Sequence, residues 1–184
     1  MQAGRRHAAG RATRFAVPDE ECEDAAELAR ELGRRLGLEP GELRDLELAT
    51  RLHYIGKLAV DRRVLGKPGP LEPHEWSIVR RQAVRGASKL AEIPGHEATA
   101  TIVRAHHERW DGAGHPAGLS GDGIPLGSRI VAACAAYQAM VRDRPYRAAL
   151  TRDEAVFELR AESGTRFDPR VVGVLVDLID SSEP

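Results

Sequence analysis

Residues 106–125 read HHERWDGAGHPAGLSGDGIP, and the reading of this stretch decides the fold. It opens on an adjacent histidine pair, His106 and His107, at the end of a helix predicted from about His96. From Asp111 to Pro125 it turns into a glycine-rich loop, and a structureless segment of that length inside a compact domain is usually functional or disordered. Outward from the loop the periodicity is helical on both sides. After it, Ile130, Ala133, Tyr137 and Met140 mark a helix from Leu126 to about Val141. Thr151 with Glu154 three residues on makes a capping box, and Asp168-Pro169 starts a last helix through Val172, Leu175 and Ile179. Before the loop, Ala25, Leu28, Ala29, Leu32 and Leu36 mark a helix that Gly37 closes. Pro40 opens a second, with Leu43, Leu46, Ala49 and Leu52 on one face. Pro73 opens a third, with Trp76, Val79, Ala83 and Leu90 as its expected buried stripe. Ile55 to Leu71 is irregular, with Lys67-Pro68-Gly69-Pro70 as a turn. No strand pair and no internal repeat is visible. The expectation is an all-α bundle of about seven helices with a long glycine-rich loop, in which residues 18–184 form one domain behind a flexible basic tail, residues 1–17.

Composition narrows the function classes. Lys+Arg 27 against Asp+Glu 28 gives a net charge of -1, which argues against a nucleic-acid binder. No apolar run approaches the roughly 20 residues a membrane span needs, and the basic start lacks the apolar core of a secretory signal. Cys22 and Cys134 cannot make a disulfide framework and suit a reducing compartment, so a cytoplasmic location is expected. Neither has a C-x-x-C partner, and Cys134, set among alanines, reads as a buried thiol. No phosphate loop of the G-x-x-x-x-G-K type and no G-x-S-x-G elbow occurs.

Histidine and basic side chains remain as candidates for chemistry. Neutral imidazole is the commonest protein ligand for transition metals, which singles out His53 and the pair His106-His107. Alone at a helix end, His53 is more often structural; two adjacent imidazoles rarely both find apolar packing. Lys57, Lys67 and the run Arg144-Pro145-Tyr146-Arg147 suit phosphate contacts, although single cations of this kind often only solvate a surface.

Taken together, these motifs resemble the HD-GYP domains, a branch of the HD metal-phosphohydrolase superfamily. The resemblance rests on residues 106–116, Gly118-Leu119 and Ile124-Pro125-Leu126, with Leu52-His53-Tyr54-Ile55-Gly56-Lys57, Leu65-Gly66-Lys67-Pro68-Gly69, Asp143 to Arg147 and Gly164 to Pro169 in the same order, and it covers about Glu21 to Ile179. It implies an all-helical fold and hydrolysis of cyclic di-GMP by two or three metal ions, often iron or manganese. Carried over position by position, it implies metal ligands at His53, His106 and His107, with Glu21 as a further candidate. Tyr54, Gln82 and Ala135 stand where the family has ligands, Tyr54 at its bridging carboxylate. Lys57 stands at the family's catalytic lysine. Lys57, Lys67, Arg144 and Arg147 stand where members hold phosphates, and Gly114-His115-Pro116 replaces the name-giving Gly-Tyr-Pro.

With ligands missing at three positions, the expected protein is a degenerate member with no intact catalytic set and no cofactor, or at most one divalent ion of iron, manganese or zinc. It would act as a regulatory module that binds a cyclic dinucleotide or another phosphate ligand through Lys57, Lys67, Arg144, Arg147, Gly114, His115 and Pro116, or that docks a protein such as a diguanylate cyclase domain. The alternative is an active phosphohydrolase with an altered one-ion site of His53, His106, His107 and Glu21. A third reading is a scaffold whose former site is packed shut. Because family members usually follow a sensory domain, the input signal is expected in trans or through a segment outside this sequence.

Overall fold

A computed structural model describes residues 19–65, 67, 69–143 and 148–181. The expected basic tail, Arg144 and Arg147 lie outside the described residues. Among these residues the chain forms nine α-helical segments: α1 Asp19–Arg35, α2 Pro40–Leu52, α3 Arg62–Leu65, α4 Pro73–Arg80, α5 Gln82–Ala91, α6 Glu97–Ala105, α7 Leu126–Met140, α8 Arg152–Ala161 and α9 Pro169–Ser181. Two short 3-10 turns, Ile55–Ala59 and Gly121–Gly123, complete the set, and no named strand occurs among the described residues. The all-α expectation stands, and no described helix is long and apolar enough to cross a membrane.

The apolar periodicities become two cores. The larger joins Ala29 and Leu32 of α1, Leu46 of α2, Ile130, Val131, Ala133 and Cys134 of α7, Leu159 of α8 and the inner face of α9 from Val171 to Ile179. The smaller joins Ala49 of α2, Ala87 and Leu90 of α5, and Ala100 and Val103 of α6. Ile102 packs against both. Cys134 is fully buried and burial pushes its thiol pKa up, in keeping with an inert thiol.

Two departures from the sequence expectation have local causes. The single third helix is two, because Arg81 leaves the helical ladder and serves at once as the C-cap of α4 and the N-cap of α5. The stripe therefore loses phase at Arg81: Ala83 and Leu90 are buried, but Trp76 is 49% exposed and α4 buries no side chain. The stretch from Ile55 onward is more ordered than expected. Its 3-10 turn lies backbone to backbone on α5, where a Cβ on Gly56 would sit 1.9 Å from the Gln82 carbonyl oxygen and one on Gly86 3.0 Å from the Gly56 nitrogen. This glycine contact sets the depth of the segment from His53 to Lys57 against Gln82. A buried ion pair fixes the other side: Arg129 of α7 donates to Asp168 at 2.7 Å, and Asp168 caps α9 by accepting from the Arg170 N–H at 2.8 Å.

Gly56→Ala is expected to destabilise the fold by about 3 kcal/mol in urea denaturation, since neither backbone can give way. Gly173→Ala, in α9 with nothing within 4 Å of the added carbon, is expected to stabilise by about 0.5–1 kcal/mol. A neutral Gly56→Ala would refute the close contact.

Candidate functional site

Helices α2 and α6 end in the same way. His53 is the C-cap of α2 and His106 the C-cap of α6. The last carbonyls of a helix lack intrahelical partners. Here each imidazole folds back to use one: His53 Nδ1–H donates to Thr50 O at 2.5 Å, and His106 Nδ1–H donates to Val103 O at 2.6 Å. A carbonyl only accepts, so the proton sits on Nδ1 and the lone pair on Nε2. Both Nε2 atoms are buried without a hydrogen-bond partner. Burial is the main cause that lowers the pKa of His53 to about 3, helped by His106 and Lys57, and that of His106 to about 4, helped by His115 and Lys57. Both are therefore neutral at pH 7.

The other imidazoles join this pair. The His53 and His106 rings are 5.5 Å apart edge to face, those of His106 and His107 3.9 Å apart, and those of His107 and His115 5.0 Å apart. All four line one cavity of about 330 Å³, within the usual range for ligand pockets. One wall is a face of α7 made of alanines: Ala132, Ala135, Ala136 and Ala139. Tyr54, Arg166 and Phe167 close other sides, and residues 106–115 form the floor and lip except for Trp110, Asp111 and Gly112. A packed-shut site does not describe this structure.

The glycine-rich loop is rigidly held. Glu108 is 4% exposed, and its carboxylate accepts from the Ala117 N–H at 2.6 Å and the Leu119 N–H at 3.1 Å. Gly114 presses on the backbone it follows; a Cβ there would sit 2.3 Å from the Arg109 nitrogen. Asp111 receives Arg109 at 3.0 and 2.6 Å and the Ala113 N–H at 2.9 Å, and the Arg109 hydrogen bond first of all lowers its pKa to about 2. The segment around Thr165 is tied on by backbone bonds, Trp110 N–H to Arg166 O and Asp111 N–H to Thr165 O.

Of the residues singled out in the sequence, His53, Tyr54, His106, His107, Gly114, His115 and Ala135 meet at this cavity. Lys57 stands beside it, its ammonium 3.8 Å from the centre of the Tyr54 ring. Gln82 reaches it from α5, its Nε2–H donating to His107 Nε2 at 3.3 Å. Glu21 is buried on α1 but does not line the cavity, nor does Pro116, which follows a cis peptide bond. Lys67 is engaged elsewhere: its ammonium is 2.6 Å from Glu75, which also caps α4. Sequence reasoning missed Glu108, Arg109, Arg166 and Phe167 as site residues, although all four fall inside quoted motifs. The alternation of alanine at 132, 135, 136 and 139 was the signal for the open wall.

The donor chemistry present suits a metal ion, although among the described residues no three His, Cys, Asp or Glu side chains are placed to hold one. Two buried Nε2 lone pairs on neutral imidazoles, each held from behind by a carbonyl, are the donor chemistry of a histidine metal site. The negative ends of two helix dipoles also favour a cation there. No carboxylate stands ready to bridge a second ion: Tyr54 and Ala135 line the cavity instead, and Glu108 is taken by the loop. Among the described residues, no three His, Cys, Asp or Glu side chains already close into a ligand cage.

Comparison with known proteins places this cavity in context. The HD domain family matches residues 5–171. A relative from Xanthomonas campestris, the cyclic di-GMP phosphodiesterase response regulator RpfG, is 40% identical over 147 residues, 79% of this chain and 39% of its own length. The 3'3'-cGAMP-specific phosphodiesterase 2 of Vibrio cholerae is 33% identical over 148 residues, 79% of this chain and 28% of its own. The chain thus spans well under half the length of these relatives. Among solved structures, the V. cholerae cyclic GMP-AMP phosphodiesterase V-cGAP3 superposes with a TM-score of 0.71 at 23% identity, covering 89% of this chain and 44% of that one, which shows the fold. These findings correct the expectation of a catalytically inactive module: the relatives are named as phosphodiesterases. That expectation rested on counting lost ligands as lost function. In the structure Gln82 still engages His107, and two of the three remaining imidazoles keep a buried lone pair.

Stability of the metal-free protein is expected to fall with acid. His53 and His106 ionise near pH 3 and 4 in the fold but near 6.5 when unfolded, so the unfolded chain alone takes up protons as pH falls below 6.5. Their contribution is complete above that value and drains down to the folded pKa, by about 2 kcal/mol per histidine at about pH 5. Urea denaturation in EDTA at about pH 7.5 and pH 5 checks this; equal stabilities would mean that the two imidazoles ionise freely in the fold.

Proposed function

The chain belongs to the HD domain family, and from that premise we propose that it is a metal-dependent phosphodiesterase that hydrolyses a guanine-containing cyclic dinucleotide at a one-ion site. The observation that carries this reading is the pair of buried, carbonyl-anchored imidazoles, His53 and His106, whose free Nε2 atoms face a cavity flanked by Lys57. Two relatives named for cyclic di-GMP and 3'3'-cGAMP support the substrate class.

In this reading His53 and His106 would hold the ion, joined by His107 on exchange of its Gln82 hydrogen bond for the metal, and the ion when bound would supply an acidified water and a charge on the phosphate. The rest is done by the chain. Thr50 O and Val103 O keep two imidazoles in the ligating tautomer. The Tyr54 ring, against His53 at 3.8 Å, orients the Lys57 ammonium toward the cavity side, where it meets a non-bridging phosphate oxygen. Arg166, above Phe167, lines the cavity and adds positive charge. Water adds to phosphorus, one P–O bond to a ribose breaks, its oxygen takes the proton, and a linear dinucleotide leaves.

The test is chromatographic: the chain with cyclic di-GMP or 3'3'-cGAMP and iron, manganese or zinc, each with and without EDTA. Linear dinucleotide that EDTA abolishes is expected. His106→Ala should lower kcat by at least about a hundredfold, and Lys57→Ala should raise KM about tenfold. No linear product with any of the metals would overturn the proposal.

A further inference from the structure

We propose that the alanine face of α7 seats a guanine base of the substrate and that Arg166 reads the O6 and N7 of that base, so that the cavity tells guanine from adenine through this one side chain. The inference rests on the reading of the cavity as a cyclic dinucleotide site and assigns it a base subsite.

The wall has the chemistry a base needs. Ala132, Ala135, Ala136 and Ala139 recur at i, i+3, i+4 and i+7, so their methyl groups share one face of α7 over about 10 Å. None of the four reaches beyond a Cβ, and none carries a polar side-chain atom. A phosphate gains nothing from such a surface, whereas the flat face of a purine buries apolar area against it.

Arg166 supplies the edge contact. It lines the cavity and, with Phe167 and Ala132, also borders a smaller void of about 10 Å³, which puts it at the Ala132 end of the wall. Its backbone is pinned: the Arg166 N–H donates to Glu162 O at 3.0 Å, and its carbonyl accepts from the Trp110 N–H at 3.2 Å. The guanidinium carbon lies 4.9 Å from the centre of the buried Phe167 ring, and among the described residues the guanidinium makes no ion pair or side-chain hydrogen bond. A ring face holds a guanidinium without using its N–H groups, so the planar fork of donors stays available. The other guanidinium lining the cavity, that of Arg109, is already matched to Asp111 at 3.0 and 2.6 Å. Guanine offers such a fork two adjacent acceptors, O6 and N7. Adenine puts an amino donor beside its N7, and arginine has no acceptor to meet it.

Calorimetric titrations of the EDTA-treated full chain with cyclic di-GMP and cyclic di-AMP test the proposal, paired with kcat/KM for the same two dinucleotides in whichever of iron, manganese or zinc gives hydrolysis. Each variant is first checked for an unchanged thermal melt. Wild type should favour cyclic di-GMP by at least about tenfold. Arg166→Ala and Arg166→Lys should each abolish that preference by weakening cyclic di-GMP alone, because lysine keeps the charge but not the fork. Ala135→Leu, which fills the wall, should weaken both dinucleotides alike, by at least about tenfold. If Arg166→Ala weakens both dinucleotides equally and Arg166→Lys restores both, Arg166 holds a phosphate and the proposal falls. A guanine preference that survives Arg166→Ala overturns it, as does an Ala135→Leu variant that takes cyclic di-GMP like wild type. Wild type that takes the two dinucleotides alike also overturns it, while phosphodiesterase activity still stands. If wild type neither binds nor cleaves either dinucleotide, the proposed function fails first and this inference with it.

Discussion

Two backbone carbonyls, Thr50 O and Val103 O, set the chemistry of the cavity. Each lies in the last turn of its helix, where the ladder has run out and an acceptor is left over. By accepting from Nδ1 they place each proton on the far side of the ring and turn each Nε2 lone pair inward. Burial among apolar neighbours then keeps both rings neutral, because charging either would mean ionising a group that is more than nine-tenths buried beside another imidazole and Lys57. A single substitution that moved either helix end by one residue would break the tautomer, the burial and the alignment together.

The rest of the architecture keeps those two helix ends facing each other. Val103 and Ala49 share a core with α5, and Gly56 lying on the Gln82 carbonyl holds the segment after His53 against that same helix. The loop is fixed independently, by one buried carboxylate on Glu108 and one close glycine contact at Gly114. A loop so constrained is part of the scaffold, which is why its length does not imply freedom to move. Arg129 and Asp168 link α7 to α9, and α7 supplies the alanine wall.

Much of this was legible in the sequence because its causes are local. Apolar spacing gave most of the helices, and the Thr151–Glu154 capping box is present as read, with Thr151 accepting from the Glu154 N–H. The boxes at Glu39 and Glu72 were not anticipated, because glutamate is not among the preferred N-cap residues, yet both are formed. The buried stripe drawn through Trp76 failed because periodicity cannot show the break at Arg81. Lys67, assigned to phosphate from its motif, is paired with Glu75, eight residues on, a partner that stays invisible until the chain turns back. Motif spacing located the three histidines but could not show what Gln82 does with one of them.

The replaced positions also change the electrostatics in a consistent direction. Tyr54, Gln82 and Ala135 are all neutral, so among the described residues no unpaired carboxylate lines the cavity; Glu108 is turned into the loop and Asp111 is matched by Arg109. What lines it is four imidazoles with Arg109 and Arg166, and the Lys57 ammonium stands beside it over the Tyr54 ring. In the proposed reading, a site of that composition would hold a cation with less charge compensation than a carboxylate-rich one, and would leave more of that cation's field for an anionic phosphate diester. Affinity for the ion and attraction for the substrate would then trade against each other. The buried helix ends, whose dipoles add negative potential without adding an acidic side chain, are the part of the fold that keeps the first from vanishing.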